Sequence, residues 1–263
     1  MFKDITIGQY IEGDSFIHKM DARSKILLTI FYVVVLFLIS SPIAYVIFAL
    51  FTIFTVLVSK VPSRYILRGL KPMLYILIFT AVLNLFMTRG GETVFSWSIF
   101  HITELGIKTA VIMVVRLVLL IVATSILTLT TSPLMLTDGI EKLLKPFEII
   151  KVPAHEIAMM MTIAIRFIPT LSEETEKIMK AQMARGADFE SGNILRRAKA
   201  MVPLLVPLFI SAFRRADDLA VAMDSRCYHG GKNRTRMKQM RFSWRDGVAT
   251  LVSVVTGVLV IVL

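Results

Sequence analysis

The sequence predicts an all-α membrane protein: about five transmembrane helices, plus a cytoplasmic region built from long amphipathic helices. Three observations predict it. Of 263 residues, 56% are hydrophobic, more than a soluble domain of this length carries. The mean hydropathy is +0.71, and the excess sits in discrete apolar runs, which is the pattern of membrane spans. The net charge of +11 is unevenly distributed, as in membrane proteins whose cytoplasmic loops gather Lys and Arg. Nucleic-acid binding is the other reading of so basic a chain, and the hydropathy argues against it. One cysteine, Cys227, rules out an internal disulfide or a cysteine metal cluster.

Residues 1–25 form a polar lead ending in Lys19, Arg23 and Lys25; Asp4, Glu12, Asp14 and Asp21 make it unlike a signal peptide. Apolar runs follow at 26–39 and 43–58, broken by Ser40-Ser41-Pro42. Joined, they would make a helix of roughly 50 Å, too long for a hydrocarbon core of about 30 Å. Two short spans with a tight turn fit better, and a re-entrant hairpin is the alternative. Lys60, Arg64, Arg68 and Lys71 make a basic linker ahead of a third span at 73–87, which contains Asn84. An outer loop opening on Arg89-Gly90-Gly91-Glu92 leads to a fourth span at 105–129. The last span, within 243–263, follows Arg241, Trp244 and Arg245, residues suited to a membrane interface. The chain thus divides into an N-terminal transmembrane region (1–131), a cytoplasmic region (132–242) and a final transmembrane helix (243–263).

Loop charge sets the orientation. Residues 1–25 hold four Lys/Arg and residues 60–72 another four, against none at 40–42 and one at 88–105. The positive-inside rule puts the N-terminus in the cytoplasm. With five spans, residues 132–242, with 18 Lys/Arg and 12 Asp/Glu, are cytoplasmic too, and the C-terminus is outside.

Within 132–242 the spacing predicts three helices. Ser132 reads as an N-cap with Pro133 in the first helical position; Leu136, Ile140, Leu143 and Leu144 then line one face, and Pro146 ends the helix. A second pattern runs from Ala154 to about Ala187, kinked at Pro169, Met-rich at first and charged later. A third runs from Pro203 to Tyr228 and closes at Gly230-Gly231. The basic run 232–241 leads back to the membrane, where anionic headgroups would attract it.

Enzymatic chemistry finds no support. Gly230-Gly231-Lys232-Asn233 lacks the spacing of a phosphate-binding loop. The four histidines lie far apart without metal-ligand spacing. Glu173 and Glu174 would diverge by about 100° on a helix. No catalytic residue, cofactor or metal is expected. The candidates are instead Ala184-Arg185-Gly186 and Ser225-Arg226-Cys227. Each arginine lies near the end of a long amphipathic pattern, four residues after an alanine. Arginine favours helix C-termini in any protein, which is one reading. The other is that its rigid, permanently charged fork of donors enters a groove on a partner. Arg116 lies inside the fourth span; pairing within the bundle is favoured over contact with a transported molecule.

These residues resemble a family. Gly8-Gln9-Tyr10, Gly13-Asp14-Ser15 and His18-Lys19-Met20-Asp21-Ala22-Arg23-Ser24-Lys25 look like the opening of the transmembrane T component of energy-coupling factor (ECF) transporters, the vitamin and metal importers of the ABC class. Thr130-Thr131-Ser132-Pro133 and Arg166-Phe167-Ile168-Pro169 are similar to later parts of that family. Ala184-Arg185-Gly186 matches its first arginine motif; Ser225-Arg226-Cys227 sits where the second belongs and departs from the Ala-Arg-Gly form. The resemblance implies a non-catalytic scaffold in the bacterial plasma membrane. Its long helices would be coupling helices, docking two cytoplasmic ABC-type ATPase subunits through Arg185 and Arg226. A small membrane-embedded substrate-binding (S) protein would be the third partner, and ATP hydrolysis would stay on the ATPase subunits. The alternative is a self-contained secondary transporter or channel, which predicts several intramembrane charges; only Arg116 and Asn84 qualify.

Overall fold

The structure is a computed structural model, and it describes residues 10–88, 90, 93–97, 100–189, 191, 193–231 and 240–263. Gly8, Gln9, Gly91, Glu92 and most of the basic run 232–241 therefore lie outside the described residues. The chain is an all-α membrane protein whose described residues include one small hairpin of two strands. It divides into two compact units, Gly8–Gly139 with Met240–Leu263, and Ile140–Gln239.

In the first unit, α1 spans Ala22–Leu38 and α2 spans Pro42–Ser59. α1 starts earlier than the apolar run because Asp21 caps it, its carboxylate accepting from the Arg23 amide at 2.9 Å. Pro42 opens α2, a position where the missing N–H costs nothing.

The basic linker is helical, which corrects the sequence reading. α3 (Ser63–Leu70) runs through a 3-10 turn at Lys71–Met73 into α4 (Leu74–Met87). Arg64, Arg68 and Lys71 recur at helical spacing, so their charges make one face of α3, while Ile66 is buried on another. An antiparallel hairpin, β1 (Thr93–Trp97) and β2 (Phe100–Thr103), leads to α5 (Glu104–Thr130), which Thr103 caps. α9 (Trp244–Val262) begins at Trp244, where Ser243 and Asp246 form a reciprocal capping box.

Among the described residues, four stretches are long and apolar enough to cross a membrane: α2, the α3–α4 run, α5 and α9. α1 has 17 residues, a rise of about 26 Å, slightly under the usual hydrocarbon thickness of about 30 Å. Leu27, Ile30, Val34 and Phe37 of α1, and Leu50, Ile53, Phe54 and Leu57 of α2, stay exposed. Outward apolar side chains are what a lipid solvent calls for. Between the helices, Tyr32, Val35 and Leu36 of α1 pack with Tyr45 and Phe48 of α2, Leu119 of α5 and Val260 of α9. The Tyr32 and Phe48 rings stack at 4.4 Å. A second cluster joins Ile17 and Met20 of the lead to Ile66 of α3 and Val122, Ile126 and Leu129 of α5.

α6 (Pro133–Leu144) starts as expected, the Met135 amide donating to the Ser132 hydroxyl at 3.4 Å. A 3-10 turn containing Pro146 follows at Lys145–Ile150. The second unit centres on α7 (Ala154–Ala184), with Pro169 inside, and α8 (Ile194–Asp224). α8 begins nine residues before the predicted start at Pro203, and carries both Pro203 and Pro207 in its interior. The missing Pro207 N–H would have served the Pro203 carbonyl, and that of Pro203 the Lys199 carbonyl. Both losses thus fall on one side of the helix, which continues through both prolines to Asp224.

α7 and α8 pack antiparallel. Ile163, Phe167 and Leu171 of α7 share an apolar groove with Ala216, Leu219 and Met223 of α8. Glu174 accepts from Arg215 at 2.7 Å and from the Ser211 hydroxyl, tying the two helices near their middles. Those bonds hold the Glu174 carboxyl below its ordinary value.

Candidate functional site

The two arginine motifs end their helices with the same device. α7 stops at Ala184, with Arg185 as the half-helical last residue. The Ala187 amide donates to the Gln182 carbonyl and the Gly186 amide to the Met183 carbonyl, both at 3.0 Å. α8 repeats this: the Tyr228 amide donates to the Met223 carbonyl at 3.1 Å and the Cys227 amide to the Asp224 carbonyl at 2.9 Å. These paired bonds are the Schellman motif, which satisfies carbonyls that a helix end leaves open. It needs the next residue in the left-handed region. Gly186 is there with φ +87° and Cys227 with φ +55°.

Ser225-Arg226-Cys227 is therefore built like Ala184-Arg185-Gly186 in backbone, despite the difference in letters. Arg185 and Arg226 both stand in the capping position, exposed, beside exposed small residues. Neither guanidinium has a hydrogen-bond or ion-pair partner among the described residues. Each helix carries the negative end of its dipole to that point, and the arginine charge complements it. Since α7 and α8 run antiparallel, the two ends lie at opposite extremes of the pair, about 33 Å apart by helical rise measured from the Glu174–Arg215 bond.

Arg116 lies in the first unit. Its Nε donates to the Tyr45 hydroxyl at 2.8 Å, with Nη2 on the same oxygen. Nη2 also reaches the Ile39 carbonyl, at the C-cap of α1, at 3.4 Å. The Phe37 ring lies 5.6 Å from the guanidinium carbon. The site is a set of neutral acceptors rather than a carboxylate.

The sequence reading did not single out a buried polar node that joins the ends of the first unit. Lys25, 5% exposed, donates to the Thr130 carbonyl at 2.9 Å, the Thr131 hydroxyl at 3.2 Å and the His18 carbonyl at 3.3 Å. All three ammonium donors are thereby used. Asp246 accepts from the Asp21 amide at 2.9 Å and from the Ser243 amide at 2.7 Å. Burial pulls the Asp21 carboxyl upward, but its bonds from the Arg23 side chain and amide outweigh that and hold it below its ordinary value. Arg23 also lies over the Phe242 ring at 4.0 Å. His18 bonds Ser15 through Nδ1 at 2.6 Å and the Ile11 carbonyl through Nε2 at 3.0 Å. Burial pushes the His18 imidazole below its ordinary value. The cue was available: a lysine directly before a long apolar run invites a search for buried acceptors. Among the described residues, no three His, Cys, Asp or Glu side chains come together to hold a metal.

Comparison with known proteins agrees with this architecture. Residues 13–237 match the family CbiQ, described as cobalt transport protein. The chain is 59% identical over 256 residues to the energy-coupling factor transporter transmembrane protein EcfT of Clostridium kluyveri, covering 97% of this chain and 95% of that protein. It is 50% identical over 260 residues to the protein of that name from Brevibacillus brevis, covering 99% and 98%. With the one from Streptococcus thermophilus it shares 42% over 255 residues, covering 97% of each. With four helical stretches apolar and long enough to span a membrane among the described residues, a family model spanning most of its length and relatives this near along nearly the whole sequence, the chain belongs to the CbiQ family, as a transmembrane component of the energy-coupling factor transporter type.

Proposed function

We propose that this chain is the non-catalytic scaffold of an ATP-driven importer, with Arg185 and Arg226 docking one cytoplasmic ATPase subunit each. A small membrane-embedded substrate-binding protein is the third partner, and a vitamin is the class of cargo. The N-terminus and residues 132–242 lie in the cytoplasm, and the C-terminus outside. What carries the reading is the identical construction of the two helix ends. Each presents an exposed arginine, without a partner among the described residues, at a helix end flanked by small residues. Arginine in that setting fits a groove lined with carboxylates or carbonyls. Arg116, satisfied by Tyr45 and Ile39, serves as an internal tie.

Co-purification tests this. The tagged chain, gently extracted from its native membrane, is expected to bring down two nucleotide-binding subunits and one small hydrophobic protein. Replacing both arginines (Arg185→Glu, Arg226→Glu) should remove the nucleotide-binding subunits while leaving the amount of chain in the membrane unchanged. Undiminished recovery with the double variant would sink the docking role. Recovery of the unaltered chain alone would favour a self-contained transporter.

A further inference from the structure

The two docking ends, alike in backbone, differ in what holds them. At the α7 end, a Cβ added to Gly186 would meet nothing within 4 Å, and Ala184, Arg185 and Gly186 are exposed. At the α8 end, Tyr228 closes the Schellman motif, and its hydroxyl lies 3.2 Å from Nε2 of His155, in the first turn of α7. The other ring nitrogen, Nδ1, lies 3.2 Å from Oε1 of Glu141 on α6. A carboxylate only accepts, so Nδ1 carries the proton; in the neutral ring Nε2 then accepts the Tyr228 O–H, and in the imidazolium it donates to the Tyr228 oxygen. Every link in this chain is therefore chemically matched. Gly231 then crosses the imidazole face so closely that a Cβ there would sit 2.4 Å from the ring. The segment following Arg226 is thus folded over His155, as well as bonded to it.

We propose that Glu141, His155 and Tyr228 form a latch that fixes the Arg226 end of the pair. His155 and Tyr228 are positioning residues: they act on a partner only through Arg226. This rests on the docking reading above.

Cys227 is exposed and is the only cysteine of the chain, so a nitroxide attached there reports the mobility of this end directly. The measurement is a spin-label spectrum of the full chain, in the unaltered background and with Tyr228→Phe or His155→Ala. A label at position 187 in a Cys227→Ser background serves as the control. Losing one hydrogen bond of ordinary strength should raise the mobile population at 227 about fivefold and leave 187 unchanged. His155→Gln, whose amide can both donate and accept, should restore the immobile spectrum. The second readout is retention of the ATPase subunits by the tagged chain. Tyr228→Phe is expected to lower retention several-fold when Arg185→Glu has left only the second end, and to have no further effect beside Arg226→Glu. Unchanged spectra at 227 in both variants would overturn the latch. A mobile label with undiminished retention beside Arg185→Glu would overturn the positioning role of the latch, while the double arginine variant tests docking itself.

Discussion

Cys227 holds a conformation that its side chain disfavours. At φ +55° a residue with a Cβ crowds its own carbonyl, at a cost of about 1 kcal/mol relative to glycine. The protein accepts it because the helix end requires a left-handed residue there. Cys227→Gly is therefore expected to slow amide exchange over residues 223–228 about fivefold, and Gly186→Ala to speed it by a similar factor at 182–187. Equal exchange in all forms would remove the claim that both ends share one motif. The sequence made the arginines and their small neighbours visible, but not this equivalence. Ser-Arg-Cys reads as a departure from Ala-Arg-Gly until φ is known, because letters report side chains while the motif is a property of the backbone.

Arg116 is an element-scale device. It bonds Tyr45 near the start of α2 and the carbonyl of Ile39 at the end of α1, so one α5 side chain closes the α1–α2 turn. An arginine inside a span is tolerated only with such partners. Tyr45→Phe removes just the shared hydroxyl, and the unmet guanidinium donors should cost about 1–3 kcal/mol. That should lower the thermal midpoint in detergent by about 2–8 °C. A midpoint within 1 °C of the unaltered protein would refute the tie. Helix existence was legible from periodicity; several boundaries were not, two of them for reasons of charge and proline. Charged residues were read as linker at 60–72, although Arg64, Arg68 and Lys71 sit on one helical face. Pro203 was read as a start, although α8 carries it inside. Charge and proline both have a legitimate place in helices, and only packing tells which applies.

At the scale of the whole molecule, the node at Lys25, Asp21 and Asp246 binds parts of the chain more than 220 residues apart, and His18 anchors the lead beside it. Lys25 before its apolar run was a cue to buried acceptors, but no local pattern announces the Asp21–Asp246 contact, and that part of the node was illegible in the sequence. The node carries a pH dependence whose sign is fixed. The folded His18 titrates below its ordinary 6.5, through burial first, while the Ile11 carbonyl and Asp14 pull upward and Lys25 downward. As pH falls past that value the unfolded chain takes the proton first. Stability contributed by His18 is therefore complete well above pH 6.5 and lost progressively as pH falls below it toward the lowered folded value. Thermal midpoints across that interval should fall with pH, and less steeply in His18→Gln; identical slopes would exclude His18 as the cause. Asp21, also held low, adds to the loss only near pH 4 and below.

The Glu174–Arg215 bond has one more consequence. Glu174 stands as many residues ahead of Arg185 as Arg215 does ahead of Arg226, which places each grip about 16 Å beyond the bond by helical rise. On the docking reading proposed above, a push of about 3 Å at either end would turn that arm by roughly 10° at this length. With arms of equal length, any difference in how the two ends respond would come from what holds each end rather than from its reach.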